Sequence, residues 1–213
     1  MSSGKLRFRF PGEDWEAHDA IIIAANQMHA FEARGESIAL VFVEPESNEG
    51  QVLQQHCRET GSASIAVDLL ARERTRLHQA YADTAPDSEL VAIAQGMIAK
   101  LAASTQMARL LDKRIVRVIE RMRERIGGSI SLAEMAEVAC LSPDRFRHLF
   151  IEETGMRFRP YVLWLRIEIA LAEFAAHKSL TAASHAGGFA DSAHFSRTFK
   201  RMFGIAPSSL QLD

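Results

Sequence analysis

Cysteine, proline, tryptophan and tyrosine are scarce in this chain, long apolar runs are missing, and neither sign of charge dominates. Two cysteines in 213 residues, Cys57 and Cys140, lie too far apart in sequence to give a disulfide framework or a zinc-ligand spacing. An apolar stretch such as Ala20–Ala25 is too short to span a bilayer, and the opening MSSGKLRFRFPGEDWE lacks the apolar core of a signal peptide. A reduced, cytoplasmic protein is therefore expected. No Walker loop, Rossmann glycine pattern or Ser/His/Asp signature appears, so no catalytic residue is assigned. His18, His29, His56, Cys57 and His78 fall on different predicted elements, and no metal site is expected from them.

What the chain has in quantity is phenylalanine, and it is ordered. A pattern beginning at Ser142 (SPDRFRHLFIEETG) is written again from Asp191 (DSAHFSRTFKRMFG). Each copy opens on a helix N-cap residue and places Phe four and eight positions later (Phe146 and Phe150; Phe195 and Phe199). Those spacings put both rings on one helical face, and a Gly thirteen positions on (Gly155, Gly204) stops the helix. A short small-residue helix precedes each copy, at Ser131–Ala139 and Thr181–Ala186. Helix-turn-helix logic therefore occurs twice, and it points to DNA.

The net charge of −2 conceals a division. Residues up to Leu111 carry 10 Lys+Arg against 15 Asp+Glu, and the remainder carry 15 against 12, giving −5 and +3. An acidic half joined to a basic half suits a regulatory module attached to a DNA module.

Along the first half, strands are expected at Leu6–Phe10, Ala20–Ala25, Met28–Ala33 and Ile38–Val43, and helical patterns over 47–60, 67–82 and 88–103. Leu90, Ala94, Met97 and Leu101 form a stripe that fits packing onto the sheet or a dimer seam. A junction is expected around Ala103–Thr105. Beyond it, Arg114–Ile126 places Ile115, Val118, Ile119 and Met122 on one face, and Ser131 with Glu134 forms a capping box opening a helix that buries Leu132, Met135 and Ala136. Pro143 opens the first repeated helix, Pro160 a long apolar one with Trp164, Ile167, Leu171 and Phe174 along a face, and Pro207 a terminal turn. Cys140 is expected to be a small buried residue of the first turn.

In these residues the chain resembles the DNA-binding domain of the AraC/XylS family of bacterial transcription regulators. The resemblance covers about Asp112–Leu210 and rests on SLAEMAEVACLSPDRFRHLFIEETG, RPYVLWLRIEIALAEF and GGFADSAHFSRTFKRMFGIAPSSL, in the family's order and spacing. It implies two helix-turn-helix subdomains joined by the long helix, with helices 142–154 and 191–203 entering successive major grooves on one face of DNA. Ala183, Ser184 and Gly187 stand where the family tends to place Ile, Ala and a larger apolar or Cys residue, respectively. Fewer buried methyls and an added Gly there should loosen the second subdomain by roughly 1–3 kcal/mol. The N-terminal stretch IIIAANQMHAFEARGESIALVFVEPES resembles only the closing part of a cupin-like sensor.

The expected fold is mainly α, a seven-helix double helix-turn-helix domain (105–213) behind a small α+β regulatory or dimerisation domain (1–104) of partial cupin-like strands plus helices. The expected DNA-contacting residues are Asp144, Arg145, Arg147 and His148 in the first copy, and Ser192, Ser196, Arg197, Lys200 and Arg201 in the second. Arg147 and Arg197 suit paired hydrogen bonds to guanine, while Lys200 and Arg201 suit phosphates. His194 reads equally well as a capping or packing residue. Double-stranded DNA is the expected partner, with RNA polymerase, a second copy of the chain and a small-molecule effector of unidentified chemistry as further ones. No cofactor and no membrane contact are expected. The competing reading is a cupin-type small-molecule-binding or enzymatic protein whose helical part is only an interaction module.

Overall fold

The computed structural model describes residues 6–32, 38–103, 111–176 and 178–207. The chain forms two compact units, Met1–Leu110 and Leu111–Asp213.

In the first unit, β1 (Leu6–Arg9) is the centre of an antiparallel three-stranded sheet, between β2 (Glu16–His18) and β4 (Ala30–Glu32). Phe8 lies opposite Glu16 on one side and Phe31 on the other. A separate pair joins β3 (Ile21–Ile23) to β5 (Ser62–Ser64). Among its described residues the unit also contains helices α1 (Asn48–His56), α2 (Ala71–Ala82) and α3 (Asp87–Ala102).

Two expectations are corrected here. The run Ile38–Val43 forms no strand, and Leu40, Val41 and Phe42 are 40–42% exposed. An apolar run makes a strand only where a partner supplies the ladder. The ladder positions instead go to the polar segments EAH and SAS, which carry no apolar alternation. Helix α3 packs chiefly against α2 and α1 rather than onto the sheet. Ile93 is its buried residue, while Leu90, Ala94, Met97 and Leu101 are half-buried. The junction expected at Ala103–Thr105 falls largely outside the described residues.

The second unit contains, among its described residues, α4 (Lys113–Glu124), α5 (Leu132–Val138), α6 (Pro143–Thr154), α7 (Phe158–Ala175), α8 (Leu180–Ala186) and α9 (Ser192–Phe203). The terminal turn expected after Pro207 lies outside them. On α4, Ile115, Val118, Ile119 and Met122 are buried, following the spacing of the sequence. Ser131 caps α5 by accepting from the Glu134 N–H, and the Glu134 carboxylate is paired with Arg125. Leu132 is half-buried rather than buried.

Helix α7 starts at Phe158, two residues before Pro160, because the first turn has free N–H groups and tolerates proline anywhere within it. It is the shared support of both halves. Leu165 and Ile167 are buried along it, whereas Trp164, Leu171 and Phe174 are half-buried. Toward α6 it presents Phe158 and Tyr161, which meet Phe150 at ring distances of 5.7 and 5.1 Å. Toward α9, Ile167 and Ala170 join Phe189, Phe195 and Phe199 in one buried cluster. Burying each of these rings stabilises by about 1.5–3 kcal/mol, so α7 holds both repeated helices through hydrophobic area.

The second subdomain is close-packed where looseness was expected. Ala183 and Ser184 are fully buried. At Gly187 a Cβ would run into the carbonyl oxygen of Arg166 and lie 2.9 Å from the Ala170 Cβ. The missing methyls therefore reflect close approach of α8 to α7, not a void between them.

Candidate nucleic-acid interface

Helix α6 begins with Ser142 in an extended conformation, its hydroxyl accepting from the Arg145 N–H, and Pro143 occupies the first turn. It ends at Gly155, with φ 68°. Helix α9 repeats the arrangement. The Asp191 carboxylate accepts from the His194 N–H at 2.6 Å, and Gly204 ends the helix with φ 77°. That hydrogen bond, aided by the nearby Arg197 charge, holds the Asp191 carboxyl below its ordinary pKa.

With the Phe pairs turned inward, opposite faces are left to solvent. On α6 these are Asp144, Arg145, Arg147 and His148, all exposed, together with Ile151. On α9, Arg197, Lys200 and Arg201 are exposed, whereas Ser192 and Ser196 are half-buried. Thr198 is buried as expected, but Met202 is only half-buried. His194 packs edge-on against Phe189, with centroids 5.3 Å apart, which favours the packing role for its ring.

The two exposed faces differ in charge. Arg147 donates to Asp144 at 2.7 Å, an i,i+3 ion pair in solvent that partly neutralises α6. Helix α9 carries Arg197, Lys200 and Arg201 with no acid within its span. The positive potential is therefore concentrated on the second helix.

Contacts that tie α4 and the turn after it to α7 escape sequence reasoning because their partners are distant. Arg166 donates from α7 to the Gly128 carbonyl at 2.8 Å, and Arg123 of α4 pairs with Glu168 of α7 at 2.9 Å. Cys140, expected to be buried, is exposed and takes φ 55° in the turn between α5 and α6. The turn needs a left-handed residue there, and its side chain points out. The described residues contain no group of three or more His, Cys, Asp or Glu able to hold a metal, and none of their helices is long and apolar enough to cross a membrane.

The family described as a helix-turn-helix domain matches residues 135–212. The chain is 34% identical over 83 residues to the probable transcriptional regulator LumQ of Photobacterium leiognathi, a match covering 38% of this chain and 34% of that protein. It is 33% identical over 87 residues to the transcriptional activator RhrA of Rhizobium meliloti (strain 1021), covering 39% of this chain and 27% of that protein. The matched stretch thus spans about a third of the length of these relatives. The crystal structure of ToxT from Vibrio cholerae O395 shares the fold over 97% of this chain and 84% of that one, with a TM-score of 0.57 and 14% identity.

Proposed function

We propose that this protein, whose C-terminal unit belongs to the AraC/XylS family, is a sequence-specific transcription regulator that reads two successive major grooves of duplex DNA with α6 and α9. The observation that carries this is the duplication itself. Two capped helices stand on one central helix by paired phenylalanines, and each turns hydrogen-bonding side chains to solvent. On this reading Arg147 and Arg197 read bases, with Asp144, His148 and Ser196 beside them. Arg145, Ser192, Lys200 and Arg201 hold the phosphate backbone and fix register.

The N-terminal residues 1–104 serve regulation and dimerisation, by effector binding or by pairing with a second copy. The protein acts in the cytoplasm as an activator alongside RNA polymerase, and catalyses no reaction. The test is footprinting on sites selected from a random library, across a salt series. Protection of two major grooves about one helical turn apart, with affinity falling steeply as salt rises, is the expected result. Protection of a single groove, or equal binding to all sequences at low salt, would overturn it. Mapping bound fragments across the genome then supplies the regulated genes.

A further inference from the structure

One charged residue of the C-terminal unit sits where two physical effects oppose it. Glu153 is the second-to-last residue of α6, and only 7% of its surface is exposed. Burying a carboxylate is costly, and the C-terminal end of a helix already carries partial negative charge. A hydrogen bond across the unit offsets these costs. Glu153 Oε2 accepts from the backbone N–H of Asp112 at 2.8 Å, a residue 41 positions earlier.

Asp112 is the N-cap of α4. Its carboxylate accepts from the Arg114 N–H at 2.8 Å and from the Arg114 guanidinium at 3.0 and 2.7 Å. The Asp112 hydrogen bond raises the Arg114 pKa, with the Glu153 charge adding to it. Glu153, Asp112 and Arg114 thus form one joint. It fastens the far end of α6 to the start of α4, just after the boundary between the two units.

The residues that face solvent for reading lie at the opposite end of the same rigid helix. Asp144 lies nine positions before Glu153, a lever of about 14 Å at 1.5 Å per residue. A tilt of ~10° at the joint would move Asp144 by about 2 Å, several times the roughly 0.5 Å that a preorganised polar contact tolerates.

We propose that Glu153 is a positioning residue for DNA reading: through the Asp112 N–H it sets the angle at which α6 presents Asp144 and Arg147. The proposal rests on the DNA-reading function above.

The experiment uses the full chain carrying Glu153→Leu or Glu153→Gln, with sequence selection from a random library, thermal unfolding and hydrogen exchange at the Asp112 amide. Glu153→Gln keeps an acceptor oxygen and should keep wild-type preference. Glu153→Leu should lose about tenfold in discrimination within the half-site read by α6. Preference in the other half, and salt-dependent binding to unrelated DNA, should stay within about twofold. The Asp112 amide should exchange faster in the Leu variant only. If Glu153→Leu does not fold, Glu153→Asp, which retracts the acceptor by one methylene, should show the same one-sided loss.

Equal loss in both half-sites, unchanged discrimination in the Leu variant, or a Gln variant as impaired as the Leu one would each overturn the proposal. If the wild-type chain shows no sequence preference, the DNA-reading function fails instead. The Asp112 exchange rates then still decide whether the joint exists.

Discussion

Cys140 occupies in the first helix-turn-helix turn the position that Gly188 occupies in the second. Each is the left-handed residue after its helix, with φ 55° and 72°. Each turn is closed by matching hydrogen bonds. Leu141 N–H donates to the Ala136 carbonyl and Phe189 N–H to the Ser184 carbonyl, both at 2.9 Å. This is a Schellman closure made twice, with a side chain accepting the strained conformation in one copy only.

The strain at Cys140 predicts that Cys140→Gly stabilises the C-terminal unit. A left-handed non-glycine residue costs about 1–2 kcal/mol, and the added freedom of the unfolded glycine returns about 0.4–1 kcal/mol, leaving a net gain of about 0.5–1 kcal/mol. The reverse exchange, Gly188→Cys, should cost more than that gain, because a Cβ there also meets the Ile126 carbonyl. Urea melts of both variants check this. A destabilised Cys140→Gly would mean that the exposed thiol makes a contact worth more than the strain.

Gly187→Ala tests the packing of α8 on α7. One added methyl has to push the helices apart against a backbone carbonyl, with an expected loss of about 1–3 kcal/mol. An unchanged melting midpoint would show that the second subdomain is indeed loose.

The helices of the C-terminal unit were legible because their signals are local. Ser131, Ser142 and Asp191 cap within three residues, and Phe146 with Phe150, and Phe195 with Phe199, share a face by spacing alone. Strands β2 and β5 were not legible, because their membership depends on pairing with Leu6–Phe8 and Ile21–Ile23 rather than on their own side chains. The same reason removed Ile38–Val43 from the sheet. The exposed side chains of the site follow from helical phase. Whether an arginine there is paired, as Arg147 is with Asp144, depends on rotamers that spacing allows but does not require.

The Asp191 cap should fade in acid. Its folded pKa is depressed, so the stabilisation is fully present above the ordinary carboxyl value near 3.8 and is lost as the pH falls through the lower folded value. The difference in melting temperature between wild type and Asp191→Ala should therefore be constant near neutrality and shrink below about pH 4. Asp191→Asn, which still offers an oxygen, should remove most of the pH dependence while keeping most of the cap. A difference that stays constant down to pH 2 would sink the assignment.

The last prediction separates readers from anchors. Arg147 and Arg197 are both exposed, one on each repeated helix. Each guanidinium suits two hydrogen bonds to a guanine, so Arg147→Ala and Arg197→Ala should each cost about 1–3 kcal/mol and relax preference at one position, in different halves of the site. The two losses should be nearly additive, since the helices read separate grooves. Lys200→Ala should weaken all sequences alike and flatten the salt slope. Asp144 adds a sharper distinction. Its pair with Arg147 is exposed and contributes only about 0.2–1 kcal/mol to stability, so Asp144→Ala should leave folding almost unchanged. Removing its charge should strengthen binding to DNA of any sequence by relieving repulsion from phosphates. It should also release Arg147 from a fixed orientation and weaken the guanine preference that Arg147 confers. Library selection with each variant, paired with affinity for unrelated DNA, resolves the four effects. The division of roles fails if Lys200→Ala alters base preference while Arg147→Ala does not, or if Asp144→Ala sharpens selectivity instead of blunting it.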